Sequence, residues 1–76
     1  MDKLGHAILD HKDELGAIES LNTGKPLGVC KAVDIDFSGR TFIYYGGWCD
    51  KITGKTYEIN GPFQGYTFKE PVGFVG

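Results

Sequence analysis

No stretch of this 76-residue sequence approaches the roughly 20 consecutive apolar residues needed to span a bilayer. No charged-then-apolar leader opens it. The sequence therefore offers no membrane partner. Charge of one sign is also lacking: eight Lys and Arg stand against ten Asp and Glu, with the signs interspersed. Nucleic-acid backbones are held by basic stripes, so this balance argues against nucleic acid as a partner. Cysteine is scarce, with only Cys30 and Cys49, and two thiols make no disulfide framework. Together with the missing leader, this points to a reducing, cytoplasmic compartment. An organellar parent stays open, because a leader could lie in upstream sequence.

What is present suits a small folded piece. Hydrophobic residues make up 41% of the chain and aromatics 13%, too apolar for a disordered tail. The length allows one domain at most, with a thin stability margin. Some of the rings should need an external partner to be buried.

Leu4, Ile8, Leu15, Ile18 and Leu21 step by three, four or seven and predict a helical face. A break near His11-Lys12 would start a second helix, capped by Asp10 or Asp13, with Glu14 at the positive end of its dipole. Asn22-Thr23-Gly24 and then Pro26 form a stop. Leu27 to Val33 reads as a short helical turn. Phe37, Thr41, Tyr44, Tyr45, Trp48 and Ile52 have helical spacing, with Asp34 or Asp36 as cap and Thr53-Gly54 as the end. Gly39, Gly46 and Gly47 would each cost that helix up to about 1 kcal/mol relative to Ala. Its stability should come from packing the aromatic face.

After Gly54 the period becomes two. Thr56 to Asn60 reads as a strand, Asn60-Gly61-Pro62 as a turn, and Phe63 to Lys69 as a second strand with a bulge or close approach at Gly65. Glu70-Pro71 breaks the ribbon, and Val72 to Gly76 begins a further apolar strand. The expected organisation is a helical segment 1–54, a β-hairpin 55–70 and the start of a strand at 71–76. The fold class is α+β.

No complete active site emerges from these residues. Cys30 and Cys49 fall on different elements without an adjacent base, and read as ordinary packed or surface thiols. His6 and Asp10 are one turn apart, but a metal needs three or four ligands. Asp34 and Asp36 read as cap and first-turn acid, not as catalytic carboxylates. Val72-Gly73-Phe74-Val75-Gly76 lacks the full GxGxxG pattern and no helix follows it. No catalytic, cofactor-binding or metal-binding residue is assigned.

Three ordered stretches nevertheless resemble one family. These are ESLNTGKPL (Glu19 to Leu27), YYGGWCDKITGKT (Tyr44 to Thr56) and EPVGFVG (Glu70 to Gly76). In that order and at those gaps they resemble segments of the NAD(P)-dependent aldehyde dehydrogenases, across nearly the whole chain. The resemblance implies a piece from the N-terminal part of a larger α/β enzyme with a Rossmann-like coenzyme domain. The helices would be its N-terminal layer, the hairpin part of its oligomerisation strands, and Val72 the start of the coenzyme domain. The parent would oxidise an aldehyde to a carboxylate, passing hydride to NAD or NADP. Its catalytic cysteine, glutamate and coenzyme loops would all follow Gly76. Neither Cys30 nor Cys49 matches the nucleophile, so the chain alone is expected to bind no cofactor and to be non-catalytic.

Departures from the family pattern are Gly5, Gly16 and Gly46 in place of Ala, Ile43 where Arg is common, and Cys49 in place of Ala. The three glycines would weaken the helices by roughly 2–3 kcal/mol on propensity alone. The alternative reading is a stand-alone interaction module, whose hairpin edge pairs with itself or with a full-length subunit. A small thiol enzyme is the third and weakest.

Overall fold

The computed structural model describes residues 1–76. The first expected helical face is divided between α1 (Asp2–Asp10) and α2 (Lys12–Thr23). The break falls at His11, with φ −99° and ψ 23°. Its backbone N–H and its Nδ1 both bond Ala7 O, at 3.1 and 2.9 Å, closing the last turn of α1. Neither helix has a side-chain cap, so the expected capping by Asp10 or Asp13 is overturned: His11 occupies the N-cap position of α2. Asp13 and Glu14 lie in the first turn of α2, where the dipole favours acids. The stop is as expected. Gly24 is left-handed, with φ 78°, and its N–H donates to Ser20 O at 2.9 Å.

After Pro26, three segments follow without interruption: Leu27–Val29, a π-helical turn Cys30–Ile35, and Asp36–Gly46. They form one long helix, α3. The expected start at Asp34 or Asp36 is therefore wrong, because both aspartates lie inside α3 and bind lysines instead of free backbone N–H groups. The expected end at Thr53-Gly54 is also overturned. The helix stops at Gly46, and the doubled glycine is followed by a turn in which Lys51 N–H bonds Trp48 O at 3.0 Å. Trp48, Cys49 and Ile52 lie outside the helix. Two adjacent glycines, each about 1 kcal/mol worse than Ala, are enough to end a helix whose rings stay largely exposed.

The hairpin is β1 (Thr56–Ile59) and β2 (Phe63–Tyr66), paired antiparallel with Tyr57 opposite Gly65 and Ile59 opposite Phe63. The register is regular, so Gly65 marks no bulge. It marks a close approach, since a Cβ there would stand 3.0 Å from Ile59 Cδ1. Gly61 supplies the positive φ of the turn, 96°. Backbone bonding extends to Thr67 N–H and Lys55 O at 2.7 Å, but Thr67 to Gly76 has no regular structure. The expected strand from Val72 does not form, because a strand needs a neighbour to satisfy its backbone and none lies beside it.

The molecule measures 63 × 22 × 20 Å, and its core is minimal. Only Gly5, Gly16, Cys30 and Gly39 are buried. Three of these four are glycines, and Ile43, Lys31 and Leu9 close on them, so the helices meet where a side chain of one lies on the backbone of another.

Candidate functional site

The expectation that the aromatic stripe is core packing fails. Helix α3 turns Gly39 and Ile43 toward α1: a Cβ on Gly39 would lie 2.7 Å from Leu9 Cδ2, and one on Gly5 would lie 2.5 Å from Ile43 Cγ1. The rings are left on the opposite side, with Phe37 63% exposed, Tyr44 61% and Tyr45 55%. Tyr44 meets Tyr45 edge-on, with centroids 5.0 Å apart, and Trp48 leans toward Tyr44 at 6.4 Å. Tyr44, Tyr45 and Trp48 thus meet one another, while Phe37 joins no aromatic pair. Arg40 and Thr41 complete a shallow apolar cleft of about 380 Å³ with Phe37, Tyr44 and Tyr45.

The hairpin is equally bare. Ile59, Phe63, Tyr66 and Phe68 are all exposed, with Tyr66 and Phe68 stacked at 6.2 Å. The accessible surface is 6610 Å². A compact monomer of this mass would expose about 4,600 Å². The excess of roughly 2,000 Å² is the scale of a large protein–protein interface.

Ion pairs, not rings, tie α3 to the segment before it. Lys12 Nζ bonds Asp36 Oδ1 at 2.9 Å, and Arg40 Nε bonds Asp36 Oδ2 at 2.6 Å. Lys25 reaches Asp34 at 2.8 Å, and Lys31 reaches Asp13 at 2.8 Å. The ammonium of Lys12, aided by the Arg40 guanidinium, holds the Asp36 carboxyl below its ordinary 3.8. Lys31 does the same for Asp13. Asp34 raises Lys25 above its ordinary 10.5. The three lysine pairs were not legible in the sequence, because their partners are 9 to 24 residues apart and two of them join separate helices.

The remaining candidates stay apart. His6 Nδ1 bonds Asp2 O at 3.0 Å and faces the Asp2 carboxylate, not Asp10. No group of three or more His, Cys, Asp and Glu converges on a possible metal position. Cys30 is fully buried, its thiol directed at Lys25 O 3.9 Å away. Cys49 is exposed in the turn after α3. It lines an open cleft of about 450 Å³ with Ile52, Phe68 and Pro71. Lys69 and Glu70 line the same open cleft as Cys49, and neither cysteine is paired with the other.

A pyrophosphate site needs a strand, a glycine turn and a helix N-terminus in succession. Val72 to Gly76 supplies only an irregular run, with Gly73 at φ 139°. No helix is long and apolar enough to cross a membrane.

Comparison with known proteins gives this surface its context. The sequence model of the Aldehyde dehydrogenase family matches residues 1–76. The chain is 44% identical over 76 residues to the mitochondrial benzaldehyde dehydrogenase of Antirrhinum majus, covering all of this chain and 14% of that protein. It is 41% identical over 76 residues to the mitochondrial aldehyde dehydrogenase of Homo sapiens, covering all of this chain and 15% of that protein. It is 38% identical over 74 residues to aldehyde dehydrogenase 1 of Tanacetum cinerariifolium, covering 97% of this chain and 15% of that one. No solved structure gives a significant match. The chain thus spans about 15% of the length of the relatives it matches. A family match along its entire length, with the three motif stretches in order, shows that this chain belongs to the aldehyde dehydrogenase family.

Proposed function

We propose that residues 1–76 serve as the N-terminal scaffold of an NAD(P)-dependent aldehyde dehydrogenase and are non-catalytic alone. The observation that carries this reading is the uncovered ring face of Phe37, Tyr44 and Tyr45 in a chain matched end to end by much longer relatives. Three solvated aromatic rings in one patch are the mark of a surface that another body covers. In this reading the rest of the enzyme supplies the nucleophile, the base and the coenzyme site. The helices are its N-terminal layer, the hairpin belongs to its oligomerisation strands, and Val72 to Gly76 becomes a strand once a neighbour is present. A cytoplasmic location goes with two free thiols and no disulfide.

A chimera tests this. Residues 1–76 replace the matching segment of the Homo sapiens relative, and NAD(P)H production from aldehydes is followed. The chimera should turn over and the 76-residue chain should not. A chimera that assembles but is inactive, or turnover by the short chain that depends on Cys30 or Cys49, would sink the proposal.

A second reading rests on the hairpin alone, whose strands have open edges and exposed rings. As a self-pairing module it would add strands between copies of this chain, or between it and a full-length subunit. Sedimentation decides: a folded monomer whose mass is independent of concentration counts against it.

A further inference from the structure

Residues by which α3 meets the other helices include those at positions 31, 36, 39, 43 and 46. Lys31 lies on Gly16 of α2, with its Cγ 2.5 Å from where a Cβ would stand, and Asp36 holds Lys12 at the start of α2. Gly39 meets Leu9, Ile43 meets Gly5, and Gly46 faces Met1. The steps along this series are five, three, four and three. Steps of three and four keep an α-helix on one stripe. A step of five does not: at 3.6 residues per turn it carries Lys31 about 140° around the axis from Asp36.

The single irregular step coincides with the π turn, Cys30–Ile35. Bonding from i to i+5 places about one extra residue in a turn. No proline falls within α3 to account for the distortion otherwise. We propose that this π turn is a phase corrector. It absorbs one residue, so that Lys31 joins the stripe of Asp36, Gly39, Ile43 and Gly46, and one face of α3 docks on α1 and α2 together. Both docks tolerate little rotation, because Gly5, Gly16 and Gly39 are the buried points of contact. Without the correction, α3 could satisfy α1 or α2, but not both.

Single-residue deletions in the 76-residue chain test the proposal. Deleting exposed Ala32 makes the first step four, so the turn can become α-helical with all five contacts in phase. Deleting exposed Thr41 leaves the π turn intact and rotates Ile43 and Gly46 by about 100°. Deletion of Val33 serves as a second, independent removal from the π turn. The two π-turn deletions should keep the thermal midpoint within about 5 °C of the parent, while the Thr41 deletion lowers it by about 10 °C or more. The nuclear Overhauser contact between the Gly5 α-protons and the Ile43 side chain should survive only in the two π-turn deletions. Loss of that contact in both π-turn deletions, its survival after the Thr41 deletion, or its absence from the unaltered chain would each overturn the proposal.

Discussion

Gly5 of α1 lies directly against Gly39 of α3. A Cβ on Gly5 would stand 2.6 Å from the Gly39 carbonyl oxygen, and one on Gly39 would stand 3.0 Å from the Gly5 oxygen. Each glycine is where the other helix's backbone passes. Helix propensity alone says that Ala at position 5 stabilises by about 1 kcal/mol. The geometry says otherwise, since backbone must move, and overpacking of this kind typically costs 1–3 kcal/mol.

Gly5→Ala should therefore be net destabilising, by about 1 kcal/mol, although it improves the helix. Gly46→Ala should go the other way, because its nearest neighbour is Met1 Cβ at 3.3 Å, on a terminal residue that can shift. A gain of up to about 1 kcal/mol is expected there. Chemical denaturation of both variants measures the opposite signs, and a stabilising Gly5→Ala would refute the close-contact account.

Stability should fall at both ends of the pH range. Asp13 and Asp36 titrate below the ordinary 3.8, so their pairing is worth most above about pH 4 and is lost as pH drops through their folded values. Lys25 titrates above the ordinary 10.5, so its pairing is complete below about pH 10 and is lost as pH rises further. Thermal midpoints from pH 2 to 11 should show a plateau between. Asp36→Asn should flatten the acid limb; an unchanged limb would mean that the Lys12 and Arg40 contacts do not persist in solution.

The two thiols should separate cleanly in a labelling experiment. Cys49 is exposed and should react with a disulfide reagent at the rate of an unfolded peptide thiol. Cys30 is fully buried and should react only at the rate of local or global opening, slower by 100-fold or more. Equal rates would show that the helices do not hold together.

The aromatic face should contribute almost nothing to the stability of this chain. Phe37→Ser and Tyr45→Ser should each change unfolding free energy by less than about 0.5 kcal/mol, while raising solubility. In the chimeric enzyme the same changes should lower assembly or activity. If they destabilise the short chain by 2 kcal/mol, the rings have a partner within it.

Hydrogen exchange should rank the elements. Amides of Tyr57, Ile59 and Phe63 should exchange almost as fast as in an unfolded chain, because a lone ribbon is marginal in water. Amides at the α1–α3 crossing, such as Gly5 and Ile43, should be the slowest.

Legibility in the sequence followed the range of the interaction. The Gly24 stop, the break near His11 and the Thr56–Ile59 strand were all readable, because each depends on residues within a turn of one another. The span of α3 was misread at both ends. Asp34 and Asp36 looked like caps from their neighbours alone, yet their lysines are 9 and 24 residues away. The motif stretches identified the family, and helical spacing placed Phe37, Tyr44 and Tyr45 on a helix, but neither showed which way those rings face.

By itself, the sequence determined the helix-then-hairpin order, the family and the surplus of apolar side chains, since these follow from local periodicity and residue type. Tertiary structure alone decided which face of α3 goes inward. Leu9 and Ile43 can close on backbone at Gly5 and Gly39, and such an approach removes water from both helices at once. The bulkier rings would hold the axes apart, so they stay outside. That choice depends on where two distant glycines meet, a distance no spacing along the chain records.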